Sequence, residues 1–88
     1  MMSDIPKKIT KENVDSEIAR VGMIAELDAV NLYEQLAEMA ADKKLKEVLL
    51  DIAKEEKTHM GEFQAMLLKF DKEQIKELEA GKKEVEEM

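Results

Sequence analysis

From residue 11 onward the chain contains no proline and little else that stops a helix; its single proline is Pro6. Glu, Lys, Leu, Ala and Met dominate, all of them good helix formers. There are no Gly- or Ser-rich linkers and no strand-like alternation. The fold class that follows is all-α. Residues 1–10 read as an irregular lead. Thr10 can cap a first helix over 11–41, about 45 Å long at 1.5 Å per residue. Asp42 is the break and serves as N-cap of a second helix over 43–70. Asp71, with Gln74 three residues on, resembles a capping box and starts a short third helix over 72–80. Gly81 closes that helix as a C′ residue, and 81–88 is a charged, frayed tail.

Two long helices joined by so short a connection must run antiparallel. A hairpin of this kind buries only one seam, and the whole chain has 88 residues. Domains this small often need association to complete a core. The chain therefore reads as a single half-bundle unit over 1–88, which a second copy completes to a four-helix bundle.

Composition removes many functions. The chain has no cysteine and one histidine, so disulfides, zinc ribbons, iron–sulfur clusters, thiol nucleophiles and an intramolecular His pair are excluded. A net charge of −7 argues against nucleic acid, which needs a basic face. No apolar run is long enough to span a membrane, and the first residues lack the apolar core of a signal peptide. The default compartment is cytoplasmic. Heavy Glu and Lys use without Cys also suits a thermophile.

Helical wheels at 100° per residue expose an anomaly. With Glu56 at zero, Leu45, Leu49, Ile52, Ala53, Met60, Phe63, Leu67, Phe70 and His59 fall within about 60°. With Glu26 at zero, Ala19, Gly22, Ala29, Val30, Tyr33, Ala37 and Ala40 do the same. Each helix thus carries a glutamate in the middle of its apolar stripe, where a carboxylate is costly unless paired, protonated or bound to metal. The two glutamates are level, each roughly 22 Å from the hairpin tip. Glu56-Lys57-Thr58-His59 places carboxylate and imidazole one turn apart on one face.

Di-iron carboxylate bundles use one Glu from each of two helices and Glu-x-x-His from each of the other two. One copy of this chain supplies Glu26, Glu56 and His59, half of that set, and two copies supply all of it. Four carboxylates balance two divalent irons. Oxygen and imidazole donors without thiolate suit iron or manganese rather than structural zinc.

Blander readings compete. Glu-x-x-His recurs by chance in Glu-rich helices, and a lone His on an apolar stripe is usually a satisfied core residue. Against this, no Lys or Arg shares the arc with the two glutamates, and two-fold pairing without a cation would only add repulsion. Tyr33 is either a phenol bonded to a ligand or an ordinary core aromatic. Met39, Met60 and Met66 read as packing. Ile24, Leu27 and Leu50 fall off the main stripes, so the first helix is apolar on nearly every side around 21–32. That outer face points to a homo-oligomer larger than a dimer.

Two segments, Ile24-Ala25-Glu26-Leu27-Asp28-Ala29-Val30-Asn31-Leu32-Tyr33-Glu34-Gln35 and Glu55-Glu56-Lys57-Thr58-His59 with Gly61-Glu62-Phe63, resemble the encapsulated ferritins, with archaeal members nearest. The resemblance covers about residues 18–80. It implies a two-helix protomer with a short C-terminal helix, pairing into a ferritin-like four-helix bundle and then into a ring-shaped decamer. It implies ferroxidase activity: Fe(II) and dioxygen as substrates, Fe(III) as product, and an encapsulin shell as partner and compartment. On this reading Glu26, Glu56 and His59 are iron ligands, about one iron per chain, and Tyr33 is a nearby phenol of the catalytic site. Some bacterial members carry extra acids flanking the first glutamate, where this chain has Ala25 and Asp28. Separate cargo members end in a short apolar targeting peptide, whereas residues 82–88 read Lys-Lys-Glu-Val-Glu-Glu-Met. The expectation is a truncated chain, a domain joined to a shell protein, or one working without a shell. The alternatives are a rubrerythrin-like di-iron redox protein, which usually brings a cysteine-rich module absent here, and a non-catalytic helical oligomerisation module.

Overall fold

A computed structural model describes residues 13–88; the expected irregular lead over 1–10 and the Thr10 cap lie outside them. Three helices follow in order, α1 (Val14–Met39), α2 (Lys43–Phe70) and α3 (Lys72–Glu86). The described residues contain no strand.

The α1–α2 turn is set by Asp42. Its side chain accepts from the Leu45 N–H at 2.8 Å, which satisfies one of the orphan donors of the first α2 turn. Asp42 needs extended backbone to do this, and Ala40 is extended as well (φ −67°, ψ 131°). That is why α1 stops at Met39 rather than at 41: residues 40–42 are consumed in reversing the chain. At the other end α1 begins at Val14, with Asn13 before it making no side-chain cap. Ser16 instead donates to the Asn13 carbonyl at 2.9 Å.

Asp71 is the whole connection between α2 and α3. Its N–H donates to the Leu67 carbonyl at 2.8 Å, closing α2, and its carboxylate accepts from the Gln74 N–H at 3.1 Å, opening α3. Only half of the capping box forms, because a one-residue joint commits its own N–H to the preceding helix. The other Asp71 oxygen accepts from the Arg20 guanidinium of α1 at 2.8 Å. The bonded guanidinium, helped by the Gln74 N–H, holds the Asp71 carboxyl below its ordinary value.

The expected end of α3 at residue 80 is corrected: the helix runs on to Glu86 and passes through Gly81, which has no positive φ. A mid-helix glycine costs about 1 kcal/mol. Lys82, Lys83 and Glu84 are good helix formers and outweigh it, and no buried residue anchors a C-terminal turn there.

The seam between α1 and α2 buries Ala19, Val30 and Ala37 from one side and Ala53 and Leu67 from the other. All five lie on the two stripes read from the wheels. None is a large side chain fully removed from solvent. Leu45 and Phe70, also on the α2 stripe, stay exposed, as do Ile24, Leu27 and Leu50 on the outer side. Helices that cross with small residues between them approach closely, and that approach brings the two glutamates together.

Two outcomes test the joints. In Gly81→Ala, where an added Cβ meets nothing within 4 Å, amide exchange at residues 82–86 should slow; Gly81→Pro should abolish protection there. Because the folded Asp71 pKa is lowered, its stabilising contribution is complete above the unfolded value, about 3.9, and is lost as pH falls through the folded value. The melting-temperature gap between the wild type and Asp71→Asn, which keeps a capping oxygen, should be full at neutral pH and close as the medium becomes more acid than that.

Candidate metal centre

Glu26 stands midway along α1, and Glu56 and His59 stand one turn apart on α2. The antiparallel register brings them level, as the matched distances to the hairpin tip require. His59 Nδ1 lies 3.2 Å from Glu26 Oε2 and 3.6 Å from Glu56 Oε2. One donor atom from each of the three can be chosen so that all lie within 4.8 Å of one another. Donors on a single ion at bonds of about 2.1 Å sit roughly 3 to 4.2 Å apart. Small rotamer changes therefore suffice to close the three on one cation.

The electrostatics without metal are strained. Glu26 and Glu56 side chains are only 19% and 18% exposed. A shared hydrogen bond with Glu56, then burial, then the Glu56 charge push the Glu26 pKa up, and His59 only partly opposes this. For His59, burial lowers the pKa, but the bond to Glu26 and the charges of Glu26, Glu56 and Glu62 outweigh it, and the net direction is up. Both shifts say the same thing: the cluster holds on to protons because it lacks positive charge. Lys57, next in sequence to Glu56, pairs with Glu34 at 3.6 Å and does not serve the cluster. A divalent cation is the natural replacement for those protons.

His59 keeps 45% of its side chain exposed. The cluster thus opens at the surface of the hairpin rather than closing inside it. Three donors from one chain would fill only part of the coordination sphere of an ion held there.

Tyr33 lies two turns from Glu26 on the same face and is half-buried. No hydrogen bond among the described residues joins it to Glu26, Glu56 or His59. Two features were not singled out from sequence. One is the charge of Glu62 beside His59. The other is the contact between Gly22 and the Phe63 ring, where an ideal Cβ on Gly22 would come within 2.5 Å of Phe63 Cδ1. Small residues near Glu26 hinted at close approach, but not at which ring fills the gap.

Comparison with known proteins now decides the family. The sequence profile of the family described as EncFtn-like matches residues 1–85. The chain belongs to the EncFtn-like family. A ferritin-like-encapsulin shell fusion protein of Pyrococcus furiosus is 52% identical over 82 residues, which is 93% of this chain and 24% of the relative. The chain thus spans about a quarter of the length of that curated relative. The crystal structure of an encapsulated ferritin domain from Pyrococcus furiosus superposes with a TM-score of 0.86 at 48% identity, covering 94% of this chain and 85% of that one. The ferritin-like, all-helical fold of this EncFtn-like chain is established by that match. No helix of the described residues is long and apolar enough to cross a membrane.

If Glu26 and Glu56 are held together at a cost that a cation relieves, removing one charge has opposite effects with and without metal. Metal-free Glu26→Gln at pH 8 should melt a few degrees above the wild type. The same variant should lose most of the rise in melting temperature that a divalent cation gives the wild type, about 2.7 kcal/mol when the ion is at a hundred times its Kd. Equal metal responses in the two proteins would rule the cluster out as the binding site.

Proposed function

We propose that this EncFtn-like chain is a ferroxidase, oxidising Fe(II) to Fe(III) with dioxygen at a di-iron site shared by two copies. The observation that carries the reading is the cluster itself: Glu26, Glu56 and His59 within 4.8 Å of one another, at an open face of a hairpin. A second copy on a two-fold axis doubles the set to four carboxylates and two imidazoles. That is the donor set of di-iron carboxylate bundles.

Iron is the substrate here. Glu26 and Glu56 bind Fe(II) as hard oxygen donors and favour the more highly charged Fe(III), which lowers the potential of the couple. His59 fixes the ion from the α2 side through an unprotonated ring nitrogen, so binding releases whatever protons the raised pKa values of Glu26 and His59 keep on the cluster. One of the two glutamates would bridge the irons, and the two Fe(II) together give two electrons to one dioxygen, which takes up two protons and leaves as hydrogen peroxide. Tyr33, on the same α1 face, is placed to act as a phenol near the site.

The outer apolar surface of Ile24, Leu27 and Leu50 supports assembly beyond the dimer, for which the ring-shaped decamer is the proposed form. The relative in Pyrococcus furiosus is named as a fusion to an encapsulin shell. We therefore propose that the domain works joined to, or enclosed by, such a shell in the cytoplasm, which stores the ferric product and so detoxifies iron.

Anaerobic Fe(II) titration followed by admission of air is the direct test. Ferric absorbance should rise faster than in a protein-free control, and Glu56→Ala should reduce the excess rate by more than about tenfold, the scale of losing even an outer partner of a metal ligand. Native mass on the same sample should show an even-numbered oligomer with about one iron per chain, as two irons on a pair require. No excess rate, or a metal-free monomer, would overturn the proposal.

A further inference from the structure

The α1–α2 connection lies far along the helices from the cluster, so the gap at the cluster is set by what packs near it. One helical turn away, Gly22 faces Phe63. Gly22 is four residues before Glu26 and Phe63 four after His59, so this contact stands about 6 Å along the axes from the cluster. A Cβ on Gly22 would sit 2.5 Å from Phe63 Cδ1, 2.6 Å from Cε1 and 2.7 Å from Cγ. Carbon atoms in ordinary contact are about 3.5–4.0 Å apart. The ring therefore lies on bare backbone. Because Cγ is itself among the near atoms, spinning the ring about its own axis cannot relieve an added methyl. Either Phe63 changes its first side-chain torsion or the helices move apart by about 1 Å.

We propose that Gly22 and Phe63 are positioning residues that set the distance between Glu26 and the Glu56–His59 pair, and so the size of ion the cluster grips. This rests on the metal-binding reading above. Glycine is otherwise a poor choice in the middle of a 26-residue helix, where alanine is favoured by about 1 kcal/mol. Here glycine permits the approach, and the Phe63 ring stops it. The 3.2 Å contact of His59 with Glu26 is the separation that results. Ions with bonds near 2.1 Å need the cluster drawn in, while larger ions such as Ca²⁺ take bonds of about 2.3–2.6 Å. Widening the gap should therefore weaken the grip on small ions most.

The test uses Co(II) as the probe, because its visible absorption reports the ligand field without turnover. Gly22→Ala should lower Co(II) affinity by about tenfold or more, the loss seen when support for metal ligands is disturbed, and should change the visible band. Its affinity for Ca²⁺ relative to Co(II) should rise. Trimming the ring in the double variant Gly22→Ala/Phe63→Leu should recover Co(II) affinity and the wild-type band. Gly61→Ala, where an added Cβ meets nothing within 4 Å, should leave both unchanged, which separates spacing from any general effect of a glycine in a helix. If Gly22→Ala does not fold, Phe63→Leu alone should still shift the band, since it removes the stop. Wild-type affinity and band in Gly22→Ala, or an unshifted band in Phe63→Leu, would overturn the positioning role. A wild type that takes up no Co(II) would overturn the metal reading beneath it.

Discussion

Two carboxylates and one imidazole are forced together at the middle of a two-helix seam, and the hairpin is arranged around that contact. Without a cation it is an expensive arrangement. Glu26 and Glu56 crowd each other in a partly desolvated gap, and among the described residues the basic group that reaches them, His59, is shared between them. A protein selected for stability alone would place leucine or alanine at these points of the stripe, as it does at Ala19, Ala53 and Leu67. The retained charge is intelligible once a divalent ion is the missing counter-charge. Small residues on α1 follow from the same need, because long side chains would hold the glutamates too far apart to share a ligand.

The chain also exposes more apolar surface than one hairpin can hide. Its radius of gyration is 16.0 Å, whereas a compact chain of this length would be close to 12 Å. The described part extends 47 by 36 by 19 Å, a flattened slab rather than a sphere. Such a slab has two broad faces. The cluster opens toward one, and Ile24, Leu27 and Leu50 belong to the outer side of the helices. On the proposed reading, the incomplete core and the three-residue cluster have one explanation: a second copy completes both.

Much of this was legible because its signals are local. Asp42 and Asp71 announce helix starts through the geometry of a side-chain oxygen over the next turn, and both bonds form. Among the described residues, the apolar stripes picked out every buried apolar one, since an α-helix repeats every 3.6 residues whatever it packs against. The level placement of Glu26 and Glu56 needed only counting from the turn. The misreadings come from competition between terms. Gly81 has the composition of a helix stop, but stopping needs a packed or left-handed end, and α3 offers neither. Asp71 and Gln74 have the spacing of a full capping box, but the Asp71 N–H was already committed to α2.

The sequence by itself determined the helices, the hairpin, the two core-facing glutamates and the His59 one turn from Glu56, because each depends on residues near one another along the chain. Tertiary structure alone decided that His59 lies between both carboxylates, that Arg20 reaches Asp71 at the root of α3, and that Phe63 rests on Gly22. The contacts here that cross from one helix to another join residues 33 or more positions apart. Their distances depend on how closely two helices approach and how they are rotated, quantities that emerge from packing and that no local pattern encodes.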